Sequence, residues 1–444
     1  MKMRMVLKKL AQNIPYNIGR WTAYAPFQYR LGQNYSRFSK MVQYYENAST
    51  DEKHQYLIER LDSIVKHAQT NIPFYQTLYG KAVIQIKSVS DFECLPIITK
   101  LQVREYTKET KGTMLVNSGG SSGEPLSFYV DSAAWAREWA HMHYIWKITG
   151  YKQTDLMITM LGKNIGNIPY KYNAVHNEFR LNPYINANSI VPEILRLFKH
   201  YPVKFFQGYP STIYNFFKEL EPVLNDKEKS MISKSIQSCF FSSELPLPYM
   251  VDYLKKVWNL NCISWYGHSE MCVLGYESNN NGIYKPFVTY GYAEECDGTL
   301  IGTSFHNYDM PLIRYSTDDL IESTKNKFGI VESFKITSGR EGDYIEDNEG
   351  KKIPLTSFIF GRHHKIFEIA DFLQVSQIEK GKATIYVIFK NEPSMSIALV
   401  ASYFDLSNIK IDFDFLFLRE PIRTQRGKLK LRISQDDIEF KECA

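Results

Sequence analysis

The sequence predicts an α/β protein with a large N-terminal multi-layer α/β domain and a small C-terminal α+β domain. Two observations support this fold class. Short apolar segments alternate with helix-like segments between residues 155 and 265, and after about residue 340 strand-like segments follow one another with few long helices. The first pattern is typical of a largely parallel sheet covered by helices. We therefore predict domains at 1–338 and 339–444, the second being mobile.

The composition indicates a globular chain of two or three domains. Of its 444 residues, 44% are hydrophobic and 23% are charged, which excludes a disordered chain. The net charge of +5 is small, and lysine and arginine occur along the whole chain, so we expect no nucleic-acid partner. No stretch approaches the roughly 18 apolar residues of a membrane span.

The six cysteines show no CxxC spacing, and Cys239 and Cys262 lie in apolar runs. Reduced, mostly buried thiols in a cytoplasmic protein are the simplest interpretation. Cys272 and Cys296 are left open as metal ligands. The sequence gives no indication of the oligomeric state.

The first twenty residues are basic, with Lys2, Arg4, Lys8, Lys9 and Arg20. Polar residues at positions 12, 13 and 17 interrupt the apolar run that a signal peptide would need. The segment is compatible with a weak peripheral contact with a membrane. A helix packed on the surface is the simpler interpretation.

The next elements follow from hydrophobic periodicity. A helix is predicted over residues 51–70, where apolar residues recur at helical spacing after the capping candidates Ser49, Thr50 and Asp51. Strands are predicted at 155–160, 203–207, 236–241 and 260–265, and helices begin near 191, 211 and 246. Further strands are predicted at 365–379, 382–390 and 409–420.

A Gly/Ser segment at residues 118–125 is the first candidate for chemistry. Its backbone N–H groups and hydroxyls are suited to binding phosphate oxygens, although most Gly/Ser stretches are plain loops. It is not a Walker loop, because no lysine follows its last glycine.

Two motifs follow predicted strands, where ligands bind in open α/β sheets. YGHSE at 266–270 offers an aromatic ring for a purine, Ser269 for phosphate and Glu270 for Mg²⁺. SSE at 242–244 follows the neighbouring predicted strand. For each motif alone, an ordinary turn is the simpler interpretation.

Three further segments carry charged groups. Asp318 and Asp319 follow an apolar strand, and a carboxylate there can accept both hydroxyls of a ribose. Glycines flank Arg340 in GREGD at 339–343, which suits a hinge. Lys428 lies in a basic stretch at 423–430, from which rotation of the small domain could deliver it to a phosphate.

In this order, the motifs resemble the adenylate-forming superfamily of acyl-CoA synthetases. The resemblance is narrower to the phenylacetate-CoA ligase branch with the CapK-like proteins of polysaccharide clusters. It runs from about residue 50 to the C-terminus and is carried by LPIITK (95–100), GYPSTI (208–213), SSE, YGHSE, MPLIRYSTDDL (310–320), GREGD and RGKLK (426–430). Each motif is short, but the resemblance is specific because all seven occur in the order found in the family.

The resemblance implies a role for each matched residue. The ATP phosphate loop would comprise Ser118, Gly119, Gly120, Ser121, Ser122 and Gly123. The nucleotide and the carboxylate substrate would be contacted by Ser243, Glu244, Tyr266, Gly267 and Ser269. Glu270 would bind Mg²⁺, Asp319 the ribose hydroxyls, and Arg340 ribose or phosphate, with Asp343 at the hinge. Lys428 would bridge the substrate carboxylate and the α-phosphate.

The implied reaction is ATP-dependent activation of a carboxylic acid as an acyl-adenylate, followed by transfer to an acceptor. Coenzyme A is the default acceptor, and an amino sugar, an amino acid or a carrier thiol is left open, especially in surface polysaccharide synthesis. The phosphate loop departs from the family's Thr-Ser-Gly opening at Gly119, and Leu126 replaces the lysine common in the wider superfamily. The Gly119 departure keeps a catalytically lapsed nucleotide- or partner-binding protein as the alternative.

Overall fold

The computed structural model describes most of the chain between residues 12 and 438. The described residues are 12–118, 126–277, 279, 281–338, 343–355, 358–359, 362, 364–370, 372–389, 395–422, 431–435 and 437–438. Within these ranges, no helix is both long and apolar enough to cross a lipid bilayer.

Fourteen strands are described up to residue 338. They are β1 (Met114–Ser118), β2 (Leu126–Val130), β3 (Leu156–Met160), β4 (Tyr170–Asn173), β5 (Glu178–Leu181), β6 (Val203–Gly208), β7 (Ser238–Phe241), β8 (Asn261–Gly267), β9 (Leu274–Tyr276), β10 (Ile283–Pro286), β11 (Gly291–Cys296), β12 (Thr299–Ser304), β13 (Tyr315–Lys325) and β14 (Val331–Ser338). β1 and β2 form a hairpin, and the other twelve form one sheet in the order β11-β12-β13-β14-β10-β9-β8-β7-β6-β3-β5-β4.

The centre of this sheet is parallel, as the sequence predicts. β5, β3, β6, β7 and β8 pair in parallel, and four of them coincide with the predicted strands. Every residue of β3 and β7 is buried. Helices cover both faces of such strands, which explains their uninterrupted apolar sequences.

The two flanks of the sheet are antiparallel, so the predicted largely parallel pattern holds only for its centre. β4 pairs antiparallel with β5 at one edge, and β9 to β14 extend the other side. The cause is short connections: β11 and β12 are joined by Asp297 and Gly298, whose φ values are 49° and 73°. Two consecutive positive φ values form the tight hairpin turn that reverses the chain.

Thirteen α-helices and three 3₁₀ helices are described. The α-helices are Tyr16–Gly19, Phe27–Leu31, Gln33–Asn47, Thr50–Asn71, Pro73–Tyr79, Val89–Glu93, Lys100–Glu109, Ala134–Ile148, Val191–His200, Pro210–Leu220, Asp226–Ser235, Pro248–Trp258 and Ile397–Ala401. The 3₁₀ helices are Arg20–Tyr24, Ala187–Ile190 and Lys365–Glu368.

Helix Thr50–Asn71 confirms the helix predicted over residues 51–70. Ser49 caps it in a capping box: the Ser49 hydroxyl accepts from the Glu52 N–H at 3.3 Å, and the Glu52 carboxylate accepts from the Ser49 N–H at 2.8 Å. These contacts satisfy backbone donors that have no partner within the helix.

The C-terminal region, here residues 343–438, contains β15 (Tyr344–Glu346), β16 (Lys352–Pro354), β17 (Phe372–Ser376), β18 (Lys382–Ile388) and β19 (Asp412–Leu418). β17, β18 and β19 form one sheet, in which β18 and β19 are parallel. The large sheet ends with β14 at Ser338. The domain boundary predicted at residue 339 stays a prediction.

One predicted strand is partly wrong. Residues 365–379 are predicted as strand, but Lys365–Glu368 is a 3₁₀ helix and the strand begins at Phe372. Ile366 and Ala370 are both buried, and the Ala370 N–H donates to the Ile366 carbonyl at 2.9 Å. Burial at a spacing of four is helical, whereas Leu373 and Val375 have the spacing of two that a strand requires.

The C-terminal region packs against the larger one through an ion pair between a buried lysine and a partly exposed glutamate. Lys351 Nζ donates to the Ile185 carbonyl at 2.8 Å and lies 3.3 Å from a Glu219 carboxylate oxygen. Asn164 and Asp405 form a second contact, with a 2.7 Å hydrogen bond from Asn164 Nδ2. The described face between the two regions is thus held by specific polar pairs.

Candidate active site

The carboxyl ends of three neighbouring parallel strands meet at one edge of the large sheet. Gly208 at the end of β6 pairs with Phe241 at the end of β7, and Phe241 pairs with Ser264 in β8. Residues 242–244 and 266–270 therefore emerge side by side. This is where the sequence predicts the ligand to bind, and it is the usual ligand position in open α/β sheets.

Glu270 lies at the centre of a hydrogen-bonded group. Tyr315 donates its hydroxyl to Glu270 Oε1 at 3.1 Å, and His268 Nδ1 lies 3.2 Å from Glu270 Oε2. The Val273 N–H donates to His268 Nε2 at 3.2 Å. Because Nε2 accepts, a neutral imidazole carries its proton on Nδ1 and donates it to Glu270.

Glu270 is held as a charged carboxylate. Burial raises its pKa, but several contributions, of which the hydrogen bond from His268 is the largest and the positive charge of Lys100 the smallest, together outweigh burial, so that the pKa of Glu270 lies below its usual value. The carboxylate is thus ionised at neutral pH, with both oxygens oriented by neighbours.

Lys100 also lies in the site, although no role is predicted for it from the sequence. The segment before it pairs with the start of β13, with Ile98 N–H donating to the Arg314 carbonyl and Ser316 N–H to the Ile98 carbonyl, both at 2.9 Å. Lys100 Nζ consequently lies 2.9 Å from Asp318 Oδ2. The sequence does identify the motif LPIITK, because it occurs at the expected place in the order of motifs. The role of its lysine becomes evident only from the pairing with β13.

Asp318 and Asp319 point to different partners. Tyr266 donates its hydroxyl to Asp319 Oδ2 at 2.7 Å, whereas Asp318 binds Lys100. Asp318 has a positive φ of 62°, and the Asp319 N–H donates to Thr317 Oγ1 at 3.2 Å, within an irregularity in the pairing of β12 with β13. The bulge turns the Asp319 carboxylate toward YGHSE.

Tyr266 is a hydrogen-bond donor at every pH of interest. Burial, followed by the charge and hydrogen bond of Asp319, raises the pKa of Tyr266 well above its usual range. Its ring also packs edge-on against Phe334, with 5.3 Å between the ring centroids. The phenol is therefore a fixed group that orients the Asp319 carboxylate.

The SSE motif places one side chain outward and one inward. Ser243 is exposed and has a φ of 66°, while Glu244 is buried. Glu244 Oε2 accepts from the Ser211 N–H at 3.1 Å, at the N-terminus of helix Pro210–Leu220, where a negative charge is stabilised. Gly267 and Ser269 are exposed beside Glu270. The nucleotide and substrate roles of these residues stay predictions.

Several predicted residues lie outside the described part of the chain. They are Gly119, Gly120, Ser121, Ser122, Gly123, Arg340 and Lys428. Ser118 ends β1 and pairs with Leu126 at the start of β2, so described strands flank the predicted phosphate loop on both sides. The roles of all these residues stay predictions.

Glu270 fits the requirements of a single protein ligand for Mg²⁺. Each of its oxygens accepts one hydrogen bond and retains a further lone pair, and the lowered pKa keeps the group ionised. The described residues contain no cluster of three His, Cys, Asp or Glu side chains suited to a metal. Mg²⁺ commonly uses one or two carboxylates, with water and phosphate oxygens as its other ligands.

Cys272, one of the two cysteines left open as metal ligands, is buried next to this group. Its Sγ lies 3.5 Å from the Glu270 carbonyl oxygen, and burial raises the pKa of the thiol well above its usual range. Its role as a metal ligand stays open.

Comparison with known proteins finds a relative by sequence. The chain is 22% identical over 405 residues to the protein CapK of Staphylococcus aureus, covering 85% of this chain and 88% of CapK. No protein-family model matches the chain.

Solved structures show the fold. 2-Hydroxyisobutyryl-CoA ligase, solved with 2-HIB-AMP and CoA in the thioesterification state, is 17% identical with a TM-score of 0.51, covering 89% of this chain and 92% of the ligase. The same ligase with 2-HIB-AMP in the postadenylation state is 18% identical with a TM-score of 0.50 and the same coverage. The chain thus has the fold of adenylate-forming acyl-CoA ligases, which confirms the predicted fold class and the resemblance at the level of the fold.

Proposed function

We propose that this chain is an ATP-dependent ligase that activates a carboxylic acid as an acyl-adenylate and then transfers the acyl group to coenzyme A or another acceptor in the cytoplasm. The observation that carries the proposal is the convergence of Tyr266, Glu270 and Asp319 at the carboxyl edge of the parallel strands. These are the positions at which the family resemblance places the nucleotide. Lys100 adds a positive charge beside them.

In the first step, a carboxylate oxygen of the substrate attacks the α-phosphorus of ATP. A new C–O–P linkage forms, the bond between the α-phosphorus and the bridging oxygen breaks, and pyrophosphate leaves. Asp319, oriented by Tyr266, would accept the ribose hydroxyls, and Lys428 would neutralise charge on the substrate carboxylate and the α-phosphate. Glu270 would hold Mg²⁺, which supplies positive charge to the phosphates when bound.

In the second step, a nucleophile attacks the acyl carbon and AMP leaves. With coenzyme A, its thiol loses a proton and a thioester forms. Rotation of the C-terminal region about Arg340 and Asp343 would withdraw Lys428 and admit this nucleophile. The ligase structures solved in postadenylation and thioesterification states support two such stages in a protein of this fold.

The resemblance of the motifs to the CapK-like proteins of polysaccharide clusters implies a role in surface polysaccharide synthesis, in which an amino sugar, an amino acid or a carrier thiol would replace coenzyme A. Within the superfamily, we place the chain nearer to the CapK-like proteins than to phenylacetate-CoA ligases, because His268 occupies the middle of YGHSE. His268 orients Glu270, so this position bears on the site itself.

The alternative is a protein that binds nucleotide without turnover, and Gly119 in the predicted phosphate loop is the feature that favours it. The two functions differ in one measurable respect. A lapsed enzyme binds ATP in calorimetry and releases no pyrophosphate with any acid.

The proposal is tested by pyrophosphate release from Mg-ATP with aryl acids, short fatty acids, amino acids and sugar acids, each with and without coenzyme A. We expect release with one class of acid. Lys428→Ala should lower this release at least about a hundredfold, since a charged group acting on the transition state contributes roughly 3 kcal/mol. Lys430→Ala, two residues away in the same basic stretch, is the matched control. Equal activity of the two variants would refute the role of Lys428.

A further inference from the structure

The positive charge of this chain is concentrated at its N-terminal end. Residues 1–45 contain eight lysines and arginines and no aspartate or glutamate. The whole chain has 53 Lys and Arg against 48 Asp and Glu, so acidic residues outnumber basic ones by three in the remainder. The net positive charge of the protein is therefore due to residues 1–45.

The same segment exposes large apolar side chains. Trp21, Tyr24 and Tyr29 are 60%, 65% and 78% exposed, and they are the three most exposed aromatic residues in the described part of the chain. Ile18 is 66% exposed. We call Ile18, Trp21, Tyr24 and Tyr29 the N-terminal aromatic surface. Isolated exposed apolar residues are ordinary, but four within twelve positions are not.

This exposure does not arise from a loosely held segment, because the opposite side is packed on the large sheet. Thr22 Oγ1 donates to the Ala174 carbonyl at 2.7 Å, and Gln153 Nε2 donates to the Ala23 carbonyl at 2.8 Å. At Gly19, an added Cβ would lie 2.6 Å from the Ala174 Cβ, so the backbone approaches β4 as closely as a glycine permits. Ala23 is itself buried.

Two of the outward side chains, Trp21 and Tyr24, lie side by side. Residues three apart lie on the same side of a 3₁₀ helix, and within helix Arg20–Tyr24 the Trp21 and Tyr24 ring centroids are 5.6 Å apart. The Arg20 guanidinium lies 5.0 Å from the Trp21 ring centroid. Aromatic rings with an adjacent cation are the combination found at membrane–water interfaces.

We propose that the N-terminal aromatic surface, in a segment of the sequence that is rich in basic residues, docks the protein on an anionic lipid bilayer. Trp21, Tyr24 and Ile18 enter the headgroup region, and Arg20 contacts lipid phosphates. Nucleic acid fits this surface less well, because Ile18 has no planar face on which a base could stack. The proposal is independent of the enzymatic function, although it would bring that site to a membrane surface.

The test is co-sedimentation of the full chain with two kinds of vesicle, phosphatidylcholine alone and an equimolar mixture of phosphatidylcholine and phosphatidylserine. We expect binding to the anionic vesicles and its release by high salt. Trp21→Ala combined with Tyr24→Ala should weaken binding at least about tenfold. Arg20→Gln should weaken it about fivefold, the ratio expected for one basic residue near an anionic surface.

Tyr249→Ala is the control, since Tyr249 is an exposed aromatic residue elsewhere on the protein, and it should leave vesicle binding unchanged. Thermal unfolding of each variant establishes that the fold is intact. Failure to bind anionic vesicles would overturn the proposal, as would equal loss of binding in Tyr249→Ala. Binding to an RNA oligonucleotide or a protein partner through Trp21 and Tyr24, without vesicle binding, would also overturn it.

Discussion

Asp318 and Asp319 are adjacent in the chain, yet only Asp319 is directed at the YGHSE motif. The positive φ of Asp318 and the bulge in β13 separate the two carboxylates, so that Lys100 takes one and Tyr266 the other. A sequence pattern identifies the acidic pair, but only the backbone geometry assigns different environments to its members.

This difference yields a matched pair of variants. Asp319→Asn should raise the KM for ATP about tenfold or more, because a hydrogen bond to a charged group contributes about 1.5–3 kcal/mol. The new amide oxygen can still accept from Tyr266, so the fold should persist. Asp318→Asn breaks an ion pair whose carboxylate is exposed; such a pair is worth about 0–1 kcal/mol, so the KM should change less than about fivefold. Steady-state kinetics measure both, and a larger effect at Asp318 would contradict the assignment.

At the residue scale, the sequence predicts the site residues that follow strands and omits the one brought by a distant segment. Tyr266 and Glu270 are predictable because they lie at, or just after, the end of a recognisable parallel strand. Lys100 is not, because its position depends on pairing between Ile98 and Tyr315, which are far apart in the chain. Local periodicity contains no information about such pairing.

At the scale of elements, the prediction succeeds where the apolar pattern is strong. The four central strands and helix Thr50–Asn71 agree with their predicted positions. Helix Asp226–Ser235 was not predicted, because it buries only Ile232 and so has a weak apolar pattern. Its signal was the capping box of Asn225 and Glu228, which satisfies the helix N-terminus without any hydrophobic periodicity.

Lys351, which directly precedes β16, contacts Glu219 of helix Pro210–Leu220, and this contact should contribute strongly to the stability of the fold. Burial lowers the pKa of Lys351, but Glu219 and the Ile185 carbonyl compensate its charge. Glu219→Ala leaves that ammonium group buried with one partner fewer, and should lower the free energy of unfolding by about 2–3 kcal/mol.

The control for this prediction is Glu379→Ala, which removes the exposed partner of Lys382 and should cost less than about 1 kcal/mol. Urea denaturation of the three proteins gives both differences. Equal stabilities of the two variants would show that the Lys351 contact is unimportant.

At the scale of the whole molecule, buried histidines should make stability depend on pH. Burial lowers the pKa of His141 and of His143 to about 3, and lowers that of His306 well below its usual value. These groups stay neutral in the folded chain, whereas in the unfolded chain they bind protons below about pH 6.5. Stability is therefore lost as the pH falls below 6.5, by up to about 1.4 kcal/mol per histidine for each pH unit.

Thermal unfolding between pH 7 and pH 5 measures this dependence. The midpoint temperature should fall as the pH falls. His143→Phe should make this dependence on pH weaker, because it removes one of the buried histidines. Phenylalanine is chosen because His143 already stacks on Phe27, with ring centroids 4.0 Å apart. His200→Gln, at an exposed position, should leave the slope unchanged. A midpoint that rises on acidification would contradict the neutral state of these histidines.

The proposed function depends on one reaction, cleavage of ATP between its α- and β-phosphates by a carboxylate. The decisive measurement is the identity of the products when ATP is consumed with the preferred carboxylic acid and coenzyme A. With coenzyme A as acceptor, we predict AMP and pyrophosphate in equal amounts and the acid recovered as its acyl-CoA. Without an acceptor, we predict pyrophosphate and an enzyme-bound acyl-adenylate that retains the AMP. ADP and phosphate as products, or ATP that is bound but left intact with every acid, would contradict the proposed function.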